Sequence, residues 1–89
     1  MKHISIVISG KVQGVFFRAS AKAKADELGV YGFVRNQPDG SVYIEAEAEQ
    51  DKLDAFQNWC KQGPPRAQVL HADINEGSSQ NFSSFAILR

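Results

Sequence analysis

The spacing of apolar residues changes several times along this chain, and each change marks an element. Ile4, Ile6 and Ile8 alternate with Ser5, Val7 and Ser9, and Lys11 and Val12 continue the pattern. A period of two places one set of side chains on the buried face of a strand. From Phe17 to Leu28 the period lengthens. Phe17, Ala21, Ala25 and Leu28 fall on one helical stripe, with Lys22, Lys24, Asp26 and Glu27 off it. Alanine has the highest helix propensity, and Gly29 follows as a C-terminal cap. Residues 30–36 read as a second strand, and Gln37-Pro38-Asp39-Gly40 as a turn. Residues 41–49 then alternate again. Val42, Ile44, Ala46 and Ala48 point inward, and Tyr43, Glu45, Glu47 and Glu49 face water.

The second half repeats the switch. Asp51 is the expected N-cap of a helix whose buried stripe is Leu53, Phe56 and Cys60, with Trp59 at its margin and Gly63-Pro64-Pro65 at its end. Residues 68–76 read as a strand, with Leu70, Ala72 and Ile74 favoured over Val69, His71 and Asp73 as the inward set. A polar loop over residues 77–81 leads into a last strand over residues 82–88. The order β-α-β-β-α-β-β contains a split βαβ unit. It predicts an α+β, ferredoxin-like two-layer sandwich: a mostly antiparallel sheet, one additional strand, and both helices on one face. The first and third strands are expected at the centre. The final strand is expected beside the first, and the 68–76 strand at the far edge.

Composition narrows the picture. Eighty-nine residues suit a single domain spanning 1–89 with one modest core. Formal net charge is zero, which argues against a general binder of nucleic acid or membrane surfaces. The lone cysteine, Cys60, cannot form an internal disulfide and fits a reducing compartment. No secretory leader and no run long enough to span a bilayer is read. The expected location is cytoplasmic and the expected state monomeric.

The candidate chemistry lies between the first strand and the first helix, in Gly10-Lys11-Val12-Gln13-Gly14-Val15-Phe16-Phe17-Arg18. A helix start leaves backbone N–H groups unpaired at the positive end of the helix dipole. Gly14 allows positive φ and close approach of a ligand. Arg18 adds a planar fork that matches phosphate oxygens. Topology then brings in a second group. The first and second strands of a split βαβ unit are parallel with the third between them, so their carboxyl ends share one sheet edge. Asn36 ends the second strand, about 10 Å from the loop after the first.

These residues also carry a family resemblance. Ile8-Ser9-Gly10-Lys11-Val12-Gln13-Gly14-Val15-Phe16-Phe17-Arg18 and Gly32-Phe33-Val34-Arg35-Asn36-Gln37-Pro38-Asp39-Gly40-Ser41-Val42 resemble the paired motifs of the acylphosphatase family. Gly63 to Arg66 and Phe82-Ser83-Ser84-Phe85-Ala86-Ile87 resemble it as well. Ala48 departs from the pattern, where the second motif usually ends in Gly. The resemblance implies hydrolysis of acyl phosphates to a carboxylate and inorganic phosphate. It implies that Arg18 binds the phosphate with the loop Gln13, Gly14, Val15, Phe16 and Phe17, and that Asn36 positions the attacking water. Phosphate or sulfate would then be a product-like ligand, and neither a metal nor another cofactor is called for.

The remaining candidates read as structural. His3 and His71 lack partners at ligand spacing, Cys60 lies on a core stripe, and the glutamate row of the third strand reads as a solvated face. Two alternative functions share the predicted fold. One is an RNA-binding module, suggested by Tyr31-Gly32-Phe33-Val34 and opposed by the three glutamates. The other is a carbamoyl-phosphate-binding domain, resembling the one that opens hydrogenase-maturation carbamoyltransferases.

Overall fold

The computed structural model describes residues 1–88. Its elements run β1 (Lys2–Lys11), α1 (Phe17–Leu28), β2 (Tyr31–Asn36), β3 (Val42–Ala48), α2 (Gln50–Gln62), β4 (Gln68–Gly77) and β5 (Phe85–Ile87). The strands form one five-stranded sheet in the order β4-β1-β3-β2-β5. Only β2 and β5 pair in parallel; every other ladder is antiparallel. This is the ferredoxin-like α+β arrangement that the element order predicts.

The period-two positions of the sheet meet the helical stripes in one core. Ile4, Ile6, Ile8, Val34, Val42 and Ile44 come from the strands, Phe17, Ala21 and Ala25 from α1, and Leu53, Phe56 and Cys60 from α2, all buried. Each large aliphatic side chain buried this way contributes about 1.5–3 kcal/mol. The Phe17 and Trp59 rings, 5.5 Å apart, join the two helices, and Phe56 meets Phe85 at 5.8 Å. Burial pushes the Cys60 thiol well above its ordinary pKa, so Cys60 packs as a small hydrophobe.

The edges of the sheet correct the sequence reading. The final strand lies beside β2, with Gly32 opposite Phe85 and Val34 opposite Ile87, and not beside the first strand. That place belongs to β4, which matches β1 almost along its whole length. A long antiparallel partner saturates the free edge of β1. The chain then crosses from β4 to β2 through residues 78–84. The final strand is also shorter than expected, because only residues 85–87 pair.

A bulge corrects one member of the inward set of β4, Leu70, and leaves Ala72 and Ile74 as expected. Ser9 pairs with His71 and Gly10 with Val69, so Leu70 is the extra residue. The parity slips there, and Val69 joins Ala72 and Ile74 against the core while Leu70 is 73% exposed. Gly10 permits this close approach: a Cβ on it would lie 2.2 Å from the Gln68 carbonyl oxygen. The N-cap of α2 is Glu49 and not Asp51, because the chain enters the helix directly from β3. Ala48 is the last residue of β3, buried opposite Lys2.

The glutamate row is not uniformly solvated, and His3, a buried strand histidine, does not lack partners. Glu47 is fully buried and accepts hydrogen bonds from the backbone N–H groups of Gln80 and Phe82. The Nδ1 of His3 lies 2.7 Å from Glu47, and its Nε2 lies 3.1 Å from Glu45. Phe82 stacks on His3 and meets Phe33 edge-on. The crossing segment is thereby strapped over the sheet face opposite the helices, where alternation alone assigns water.

Candidate active site

The two strand ends that the topology brings together lie where expected. Val42 of β3 pairs with Ile8 of β1 on one side and Asn36 of β2 on the other. Beyond that edge is a cleft of about 220 Å³, lined by Val12, Gly14, Phe16, Phe17, Arg18, Ala19, Asn36 and Ile87. Arg18 and Asn36 therefore share one cavity. Parity explains the direction of Asn36: Val34 points into the core, so the residue two further on lies on the same, helix-covered side.

The loop backbone has the form of an anion nest. Gly14 has φ 73° and Phe16 has φ 64°, with Val15 between them outside the left-handed region. Alternating left-handed and ordinary residues turns successive N–H groups toward one concavity. Among the described residues, none of the backbone N–H groups of residues 14–19 finds a protein acceptor. No side chain caps α1, its first turn holds no acidic residue, and Arg18 sits in that turn. A cation there is unfavourable beside the helix dipole, and free donors are costly unless a ligand fills them. A non-glycine residue in the left-handed region, as at Phe16, adds about 1–3 kcal/mol of strain. An anion in the cleft would offset all three terms.

Gln13 and Val15 do not line the cleft. Val15 is buried in the core. Gln13 is a strut, whose Nε2 donates to the Gln37 carbonyl at 2.8 Å and to the Ser41 carbonyl at 2.9 Å. It ties the loop to the β2–β3 turn and so sets the nest relative to Asn36. The turn is itself braced. The Ser41 hydroxyl and amide both donate to Asp39 and hold its carboxyl below the ordinary carboxylate range. Lys22 and Lys24 are occupied elsewhere: Lys22 bonds Asp26 and the Phe85 carbonyl, and Lys24 bonds Glu27. Among the described residues Arg18 is the one cation in the lining, and its Nη1 reaches the Leu88 carbonyl only at 3.4 Å.

Ile87 is the wall the sequence reading missed. It comes from far along the chain because β5 pairs in parallel with β2, and no local pattern reports that pairing. Among the described residues, no carboxylate, histidine or cysteine lines the cleft. Its functional groups are one guanidinium, one carboxamide and a set of amides. Such a set can bind a compact anion and orient a neutral nucleophile, and none of the described side chains in it is suited to general-base work at neutral pH.

A family model described as acylphosphatase matches residues 4–87. The chain belongs to the acylphosphatase family. The acylphosphatase of Methylococcus capsulatus is 47% identical to it over 90 residues, covering 100% of this chain and 98% of that protein. The acylphosphatase of Acaryochloris marina is 51% identical over 86 residues, covering 97% and 92%. A crystal structure of the acylphosphatase from Bacillus subtilis superposes with a TM-score of 0.97 at 33% identity, covering each chain in full. The likeness to acylphosphatases therefore takes in the strap and the terminal strand as well as the two motifs.

Proposed function

We propose that this chain hydrolyses acyl phosphates by attack of water on phosphorus, with Arg18 and the amides of the Gly14–Phe17 loop binding the phosphoryl group and Asn36 orienting the water. One observation carries the reading. Unpaired amides, a guanidinium and a carboxamide line a single cleft, which holds no competing carboxylate among the described residues. Catalysis of phosphoryl transfer is mostly positioning and electrostatic stabilisation of the phosphoryl oxygens, and this set of groups supplies both. The bond from phosphorus to the acyl oxygen breaks, and its electron pair leaves on a carboxylate. The conjugate acid has a pKa of about 4, so departure needs no general acid. The Asn36 amide oxygen accepts a hydrogen bond from the water and fixes its direction but cannot take its proton. That proton passes to a phosphate oxygen. In this reading the chain is a single domain working as a cytoplasmic monomer on a small molecule, with no nucleic-acid partner and no cofactor.

The test separates binding from turnover. Asn36→Ala is expected to lower kcat for benzoyl phosphate by about 10²–10³-fold. Inhibition by inorganic phosphate should persist, because the nest and Arg18 are untouched. Asn36→Ala with near wild-type kcat would remove Asn36 from the mechanism. Loss of phosphate inhibition in that variant would assign it to binding instead.

A further inference from the structure

Phosphate binding leaves one property of the cleft unused, which is its apolar rim. Phe16 is 71% exposed and Ile87 is 38% exposed, and both line the cleft. An exposed Phe16 gains little from the hydrophobic effect in the free protein. It also occupies a left-handed backbone position that Gly or Asn adopts with less strain. Its amide serves the nest whatever the side chain, so the ring calls for another explanation. Exposed apolar surface gathered at the mouth of a cavity marks contact with a ligand. The substrate supplies such a contact. When the phosphoryl group sits in the nest, its acyl substituent has to extend past the rim.

We propose that Phe16, together with Ile87, forms a shelf for the acyl group and makes the site select aromatic or extended apolar acyl phosphates over acetyl phosphate. This rests on the reading of the cleft as an acyl phosphate site. Phe16 and Ile87 are then specificity-determining residues: they touch the leaving group and take no part in the chemistry at phosphorus.

The readout is kcat/KM for benzoyl phosphate divided by kcat/KM for acetyl phosphate. The ratio cancels any change that affects both substrates alike, including disturbance of the nest. Phe16→Asn removes the ring while tolerating the left-handed backbone, Phe16→Tyr keeps the ring, and Ile87→Ser removes the other exposed apolar side chain of the lining. The ratio is expected to fall about tenfold in Phe16→Asn and about threefold in Ile87→Ser, and to stay within about twofold of wild type in Phe16→Tyr. An unchanged ratio in Phe16→Asn, with both substrates still hydrolysed, overturns the shelf and leaves the active-site reading standing. Wild-type protein that hydrolyses neither compound overturns the active-site reading and the shelf with it. Should Phe16→Asn fail to fold, Ile87→Ser decides, and an unmoved ratio there overturns the proposal.

Discussion

Glu47 and Asn36 lie at opposite ends of the β2–β3 ladder, and the polar groups around them are treated in opposite ways. At the Glu47 end a buried carboxylate is met by His3 and by the N–H groups of Gln80 and Phe82. At the Asn36 end the amides of residues 14–19 have no partner among the described residues, Phe16 is strained, and Arg18 stands at the wrong end of a helix dipole. The first arrangement spends polar groups on holding the strap and the sheet together. The second leaves them free for an anion. Stability and function are thus separated by the length of the sheet, and substitutions at the two ends should report on different quantities.

The largest expected effect is at the open end. Arg18→Ala should lower kcat/KM for benzoyl phosphate about 10³-fold and weaken inhibition by inorganic phosphate at least about tenfold. Its unfolding free energy should move by only about 0.5 kcal/mol, because among the described residues the side chain has one long hydrogen bond to lose. A large fall in Tm for Arg18→Ala would erase the contrast. Glu47→Gln should do the reverse. Removing the buried carboxylate loses its charge-assisted hydrogen bonds from the Gln80 and Phe82 N–H groups and its contact with the His3 ring, at a cost of about 3 kcal/mol, on the order of 15 °C in Tm by thermal denaturation. The kcat of the folded fraction should change by less than about threefold.

Acid sharpens the same comparison. Burial raises the Glu47 pKa, but the Gln80 N–H, the His3 ring and the Phe82 N–H outweigh it, so the folded carboxyl titrates below its ordinary value. The unfolded chain therefore takes up this proton first as pH falls. The contribution of Glu47 is whole above the ordinary carboxylate range, and it is lost as pH drops through that range toward the lowered folded value. Tm measured from neutral pH downward should fall more steeply for wild type than for Glu47→Gln below about pH 4.5. Parallel curves would count against the pair as the source of the strap's stability. The smallest effect belongs to the strut between the two motifs. Gln13→Ala should cost about 1 kcal/mol of stability and about threefold in kcat/KM, because the nest loses its tie to the Asn36 turn but keeps its amides.

Much of this was legible along the chain. Periodicity located every element, and Gly14, Arg18 and Asn36 stood out because a split βαβ unit puts the ends of its parallel strands on one edge. Two things were illegible for physical reasons. A β-bulge shifts parity without changing composition, so Leu70 looks as inward as Ile74 until the pairing of Val69 with Gly10 is seen. A glutamate in an alternating strand reads as solvent-facing, and Glu47 is buried only because residues 78–84 return across that face.

The local chemistry of this protein follows from its sequence alone: a strand, a glycine loop carrying an arginine, a helix start, and an asparagine at the end of a second strand. Those features depend on backbone preference and hydrophobic period, which act over a few residues. Which edge the last strand joins, whether Ile87 walls the cleft, and whether His3 and Glu47 meet were decided only by the tertiary structure. These depend on contacts between residues far apart in the chain, and no local spacing encodes which of several open edges and faces the returning chain will cover.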